Sequence, residues 1–398
     1  MNDGYGIRNH VLYVVKGIKL IVGILVISAI MGTSESFATP PVLKVIGTQI
    51  LNSNNEPVRL RGVNCASLEW TSDGEGHILE SVRVAIDDWH VNHIRLPLSQ
   101  DRWFGKAPGQ NDDGKSYRAL VDRVVQLCAS KDVYVMLDLH WSSAGVWGEQ
   151  IGQHSMPDEH SLTFWKDLAP IYANHPAVLY DLYNEPHDVS WDIWLNGGDI
   201  TDKPNRRGQT PKTFRAVGMQ ALFEAVRATG VNNLIVVGGL DWSYDFSGIL
   251  EGRQFKDTNG NGVIYANHCY NNKNQAVETW IGNMEKAAAK IPIIISEFGG
   301  SYWKDGEPPA ANRPRGFGGM GRNDGDWLMR ILQVIEDHHW SYTAWDFHPS
   351  AGPTLITGWN YEPTPNFGIY VKQMLAGTWS GYTPTAKPRS DGGGMLKP

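Results

Sequence analysis

Short apolar runs recur along the chain, and each reads as a buried strand: VRLRGVNC from 58, HIRLPL from 93, YVMLDLH from 134, VLYDLYNE from 178, LIVVGG from 234, VIYANHCY from 263, IPIIISEFG from 291 and SYTAWDFH from 341. Between most of them the spacing predicts helices, over 79–89, 117–130, 162–174, 213–229, 276–290 and 327–339. Strand alternating with helix implies a parallel sheet, and eight such units imply an α/β fold of the (β/α)8 TIM barrel type rather than an open doubly wound sheet. The stretch 240–262 carries no convincing long helix, the one weak beat in the rhythm. Ahead of the first barrel strand, 42–51 and 58–65 flank the turn-rich Asn52-Ser53-Asn54-Asn55, which predicts an N-terminal β-hairpin.

Polar residues fall at the ends of these runs. The active site of a β/α barrel is built from strand C-termini and the loops after them. There the sequence delivers Arg95, His140 with Trp141, Asn184-Glu185-Pro186, His268 with Tyr270, Glu297 and Trp345. Charged groups are rare in buried strands unless paired or functional, because desolvating a carboxylate costs several kcal/mol. Two glutamates at one mouth, beside an arginine and two histidines, therefore read as chemistry. Cleavage of a glycosidic bond needs such a pair: one group protonates the leaving oxygen while the other attacks or activates water. Glu185 is assigned acid/base and Glu297 nucleophile, with Arg95 and Tyr270 as the groups that keep Glu297 charged and oriented. Residue types alone do not fix that order.

Composition adds aromatic surface: 16 Trp and 15 Tyr beside 43 Gly. Trp70, Trp103, Trp141, Trp147, Trp191, Trp194, Trp242, Trp303, Trp345 and Trp359 fall in or near strand ends and the following loops, whereas Trp89, Trp165, Trp280, Trp327 and Trp340 lie in helix-like segments that suit core packing. Sugar rings present apolar C–H faces to aromatic planes, so the first group predicts a saccharide cleft, with Trp345, Trp141 and Trp303 as the named candidates. A net charge of −7 argues against nucleic-acid binding. No glycine-rich dinucleotide loop or phosphate-binding lysine loop is present, and no cofactor is expected.

Arg8, Lys16 and Lys19, the apolar run 20–31 and Ser36-Phe37-Ala38 read as a signal peptide over 1–38, cut after Ala38, and so predict a secreted or periplasmic protein free of the membrane. A retained anchor is the competing reading, although the run is shorter than the roughly 20 residues a span needs. Residues 39–378 then form a single catalytic domain, and 379–398, ending SDGGGMLKP, a flexible tail. Cys65, Cys128 and Cys269 are too few for a disulfide framework and are read as buried thiols. Asp257-Thr258-Asn259-Gly260-Asn261-Gly262 copies the opening of a calcium loop, but its twelfth position is His268, so a plain turn is the better reading and no metal is assigned.

Taken together, LRGVNCASLEW from 60, NHIRLPL from 92, LDLHW from 137, LYNEP from 182, NHCY from 267, ISEFG from 295 and AWDFH from 344 resemble glycoside hydrolase family 5, the cellulase family. The resemblance spans about residues 42–370, with the motifs in order. It implies a retaining mechanism with Glu185 as acid/base and Glu297 as nucleophile, and supporting roles for Arg95, His140, Asn184, His268, Tyr270 and Trp345. Asn184 would bind the sugar 2-hydroxyl, Trp345 would floor the subsite of the cleaved sugar, and Tyr270 would hydrogen-bond Glu297. Retention requires carboxyl groups about 5–5.5 Å apart. The expectation is a monomeric endo-β-1,4-glucanase acting on cellulose-like polysaccharide. A β-mannanase or other β-glycanase, a non-catalytic carbohydrate-binding barrel and, last, a metal-assisted hydrolase are the alternatives. The loops 99–116, 141–160, 187–212 and 300–323 would set substrate choice.

Overall fold

A computed structural model describes residues 39–203, 210–273, 275–303 and 326–383. All eight apolar runs form strands of one closed parallel barrel. In order around it these are β3 (Arg61–Asn64), β4 (His93–Ser99), β5 (Tyr134–Trp141), β6 (Val178–Asp181), β9 (Ile235–Gly238), β10 (Val263–Tyr270), β11 (Ile293–Gly299) and β12 (Ser341–Ala344), which pairs back to β3. Ahead of the barrel, β1 (Leu43–Ile46) and β2 (Gln49–Asn52) pair antiparallel. Their turn falls at Gly47-Thr48, where Gly47 adopts φ 62°, one turn earlier than predicted. The Asn52–Asn55 turn follows it and leads Val58 back onto Ile50.

Helices Ile78–Asp87, Lys115–Ser130, Glu159–Ile171, Val277–Ala288 and Trp327–Asp337 occupy the expected connections, and 240–262 holds only two four-residue helices, Leu240–Ser243 and Ser247–Leu250. The predicted helix over 213–229 is corrected. Lys212–Val217 is strand β8, paired antiparallel with β7 (Gly197–Asp202), and the helix begins only after Gly218, at Met219. Thr213, Phe214 and Val217 favour the pleated surface, and Phe214, Ala216 and Val217 are buried there. Trp379 and Tyr382 pack against the core, and the Tyr382 N–H donates to Gln333. The expected signal segment 1–38, the rest of the tail, 384–398, and loop residues 304–323 lie outside the described residues.

Inside the barrel, alternate residues change character along each strand. At the lower end Leu60, Tyr134, Met136, Leu179, Val236, Ile264 and Ile294 form an apolar plug, joined by Leu43 and Ile50 of the hairpin. The intervening residues Val135, Leu137, Tyr180, Ile235, Val237 and Ile295 belong to the larger core that includes the helices. Higher up, the period-2 face that begins with Tyr134 and Met136 continues as Asp138 and His140, and Leu179 is followed by Asp181. One end of the barrel interior is thus apolar and packed, and the other carries buried charge.

Candidate active site

Arg95 organises the polar end. Its guanidinium is fully buried and paired with Asp138 (3.0 Å), Asp181 (2.9 Å) and Glu297 (2.7 Å), and it donates to Asn64 Oδ1 (3.1 Å) and Asn184 Oδ1 (2.9 Å). One buried cation facing three carboxyls needs every donor engaged, which the planar fork of arginine allows. Burial pushes Asp138 and Asp181 up to about 7 while Arg95 opposes the shift. Both acids stand inside apolar strand runs, a signal visible in the sequence, yet the strand-end pattern does not single them out.

The two glutamates sit in unlike surroundings. Glu297, on β11, is bound by Arg95 at one oxygen and by the Tyr270 hydroxyl at the other (2.8 Å). Burial, followed by the Glu297 charge, holds the Tyr270 phenol well above its ordinary range, so it remains a donor. Glu185 lies just past β6 in left-handed backbone (φ 52°). Burial pushes its carboxyl up to about 7, against the opposing pull of His140, Arg95 and Lys273. A carboxylate oxygen of Glu185, one of Glu297 and a ring nitrogen of His268 all lie within 4.8 Å of one another. That approach is close to the spacing of retaining pairs and well short of the roughly 6.5–9.5 Å of inverting ones.

Both histidines are held neutral. Burial lowers His268 to about 3 and His140 to about 4. His268 Nδ1 faces Glu185 (2.8 Å) and Nε2 faces the Ser296 hydroxyl (2.9 Å); a neutral ring satisfies both with Nδ1–H donating to the carboxylate. His140 Nδ1 meets Asp138 (2.6 Å), its Nε2 lies 3.3 Å from Asn184 Nδ2, and its ring stacks on Trp345 (5.3 Å, 13°). The Glu185, His268 and Glu297 donor atoms are close enough to suit a cation, but protein donors already engage both carboxylates.

These groups open into a cleft of about 660 Å³. Trp70, Trp141 and Trp345 line it, as do Trp242 and Tyr244. The expectation of a broad tryptophan row is corrected in part. Trp103 and Trp194 are fully buried in the core, Trp147 stacks on His160, Trp359 stacks on His77, and Trp303, half-buried, is not among the residues lining the cleft. A tryptophan after a strand end faces the cleft or the packing beneath the loop, and sequence position does not distinguish the two. Trp89, Trp165, Trp280, Trp327 and Trp340 are buried as expected, and so are the three cysteines. Sequence reasoning also passed over Glu69, which burial pushes up to about 8 beside the cleft, and the cleft residues Glu75 and Gln153; His348, which sequence offered with His140 and His268 only as a ligand for the metal-assisted alternative, also lines the cleft. In the calcium-like turn, Asp257 is clasped by Arg227 (2.9 and 2.7 Å) and accepts from the N–H groups of Gly260 and Gly262. Its carboxylate is satisfied as a turn anchor.

A closed (β/α)8 barrel with two unlike carboxyl groups at its mouth defines a site of the kind glycosidic bond cleavage requires. The family model described as Cellulase (glycosyl hydrolase family 5) matches residues 51–351, and the chain belongs to that family. Similar proteins include an endoglucanase of Clostridium saccharobutylicum, 22% identical over 345 residues, covering 84% of this chain and 65% of the relative. Endoglucanase E-5 of Thermobifida fusca is 21% identical, covering 79% and 58%. The chain thus spans about three fifths of the length of these curated relatives. Among solved structures, a β-glucanase of Saccharophagus degradans in complex with cellotetraose superposes with a TM-score of 0.65 at 21% identity, covering 85% of this chain and 94% of that one.

Proposed function

We propose that the protein is a retaining endo-β-1,4-glucanase that hydrolyses internal bonds of cellulose-like β-glucan. The observation that carries this reading is the unequal carboxyl pair. Glu297, gripped by a cation and a phenol, is suited to attack the anomeric carbon. Glu185, raised to about 7 and close by, is suited to donate a proton to the leaving oxygen and then to activate water. In the first step Glu297 bonds to the sugar as the glycosidic bond breaks and the Glu185 proton passes to the leaving oxygen. In the second, water gives its proton to Glu185 and displaces Glu297.

In this reading Asn184 binds the sugar 2-hydroxyl, Trp345 lies beneath the sugar, and Trp70, Trp141 and Trp242, which also line the cleft, offer stacking surfaces. The endoglucanase names of the relatives and the cellotetraose bound by the Saccharophagus protein support the choice of β-glucan. Export is part of the same proposal, supported by the charge and hydropathy pattern of residues 1–38.

Reducing-sugar release by the purified protein tests it on soluble β-1,4-glucan, mixed-linkage glucan, glucomannan and galactomannan, with Glu297→Gln as control. Release is expected to be fastest on glucan and to vanish in the control. Faster release from mannan would replace the substrate and keep the mechanism, and release from none of the four would overturn the assignment.

A further inference from the structure

Gln153 bonds to the residues flanking the chemistry without being one of the family-like strand-end residues. It lies on the loop after β5, whose far side is tied back to the strand by a reciprocal pair of backbone hydrogen bonds between Ser142 and Gly152 (3.0 Å each). Its amide is read without ambiguity. Arg95 can only donate, so Asn184 presents Oδ1 to it, and Asn184 Nδ2 must then donate to Gln153 Oε1 (2.7 Å). Gln153 Nε2 in turn faces backbone carbonyls: Asn184 O at 2.7 Å, His154 O at 3.2 Å and Glu185 O at 3.4 Å. One side chain thus grips Asn184 at both its amide and its main chain, and reaches the carbonyl of a residue held in left-handed backbone.

The loop is itself anchored from outside the barrel. His154 places Nδ1 on Asp202 Oδ2 (2.6 Å) and Nε2 on Gln150 O (2.8 Å), and the Ser155 N–H and hydroxyl both donate to Asp202 Oδ1. Asp202 ends β7, so the β7–β8 hairpin, an addition to the barrel plan, buttresses the segment that carries Gln153. Such outer supports are what hold a catalytic group within a fraction of an ångström of its working position.

We infer that Gln153 is a positioning residue of the reaction, which holds in place the Asn184 amide that Arg95 orients, so that a sugar hydroxyl meets it in register. The inference rests on the glycosidase reading for its kinetic consequence and on geometry alone for its structural one. Gln153→Met keeps the volume and removes both hydrogen-bonding ends. It is expected to lower kcat about 10- to 100-fold, the range typical of outer-shell partners, with KM changed far less and the unfolding midpoint nearly unmoved. If Gln153 acts through Asn184, adding Gln153→Met to Asn184→Ala produces no further loss. An unchanged kcat, or losses that multiply in the double variant, would overturn the inference. A crystal structure of Gln153→Met decides independently of activity: a displaced Asn184 amide supports the positioning role, and an unmoved one refutes it. Should the wild-type protein hydrolyse no polysaccharide, the functional reading falls, while the position of the Asn184 amide in that crystal structure still separates a positioning role from none.

Discussion

The Glu297 side and the Glu185 side of the cleft solve opposite problems with neighbouring carboxyls. Two donors grip Glu297: a fully buried guanidinium at 2.7 Å and a phenol at 2.8 Å. Around Glu185 the nearest ring is an imidazole that burial keeps neutral, and desolvation outweighs the more distant cations. The contrast is the one that the proposed division into acid and nucleophile requires. One glutamate sits within a strand inside the charge network, and the other is lifted past its strand on a left-handed residue and held by loops.

The largest effect should come from removing the carboxylates one at a time. Glu297→Ala is expected to lose at least about 10⁴ in kcat, as removal of a covalent nucleophile does. Azide entering the space left behind would attack directly and give a glycosyl azide of inverted configuration. Glu185→Ala should keep formation of the covalent intermediate for substrates with good leaving groups, and azide should then give the retained product. The reverse pairing of products would exchange the two roles and break the comparison.

Arg95→Met comes next, tested by equilibrium denaturation. Stranding Asp138, Asp181 and Glu297 without their cation should cost about 3–5 kcal/mol, the usual result of removing one partner from a buried ionic set. The pH dependence gives a sign. Without the guanidinium the folded-state pKa values of Asp138 and Asp181, which burial already lifts to about 7, rise further above their unfolded values. The deficit relative to wild type therefore grows as pH rises above about 7, where Asp138 and Asp181 ionise beside the guanidinium in the wild type, and shrinks below it, where both aspartates are protonated in either folded protein. Glu185→Ala should show no comparable deficit, because it removes a buried acid whose charge burial already opposes. Equal losses in the two variants would mean that the environments differ less than their contacts indicate.

How much of this was legible in the sequence follows the same division. The barrel strands could be read because burial on both faces writes an unbroken apolar run, and Glu297, Arg95 and His268 because each interrupts such a run. Asp138 and Asp181 carried the same signal and were passed over because each lies inside its apolar run, YVMLDLH and VLYDLYNE, although β6 itself stops at Asp181. The Glu185 side depends on loops. Gln153 is a neutral residue with no periodic neighbourhood, and its role exists only once the Ser142–Gly152 bridge turns it back toward Asn184. The β7–β8 hairpin was missed because β7, GGDITD, has the composition of a turn and gains strand geometry only by pairing with Lys212–Val217. Trp103 and Trp194 followed strand ends as the cleft tryptophans do, but packing beneath their loops buried them.

The smallest effect is the most discriminating, since it concerns the balance that sets Glu185 apart. A general acid must be protonated to act, so kcat/KM should fall as pH rises through about 7, the value to which burial lifts this carboxyl. Lys273, bound to Asp241 (2.9 Å) at the cleft, pulls that value down by favouring the ionised form. Lys273→Met removes the pull without touching Arg95 or Tyr270. The alkaline limb should therefore move upward by a few tenths of a pH unit, as expected for a partly exposed charge screened by solvent, while kcat at its plateau holds. A limb that stays fixed would show that Lys273 has no part in setting Glu185. A limb that moves downward would place the titration on another group, and the acid/base assignment would have to follow it.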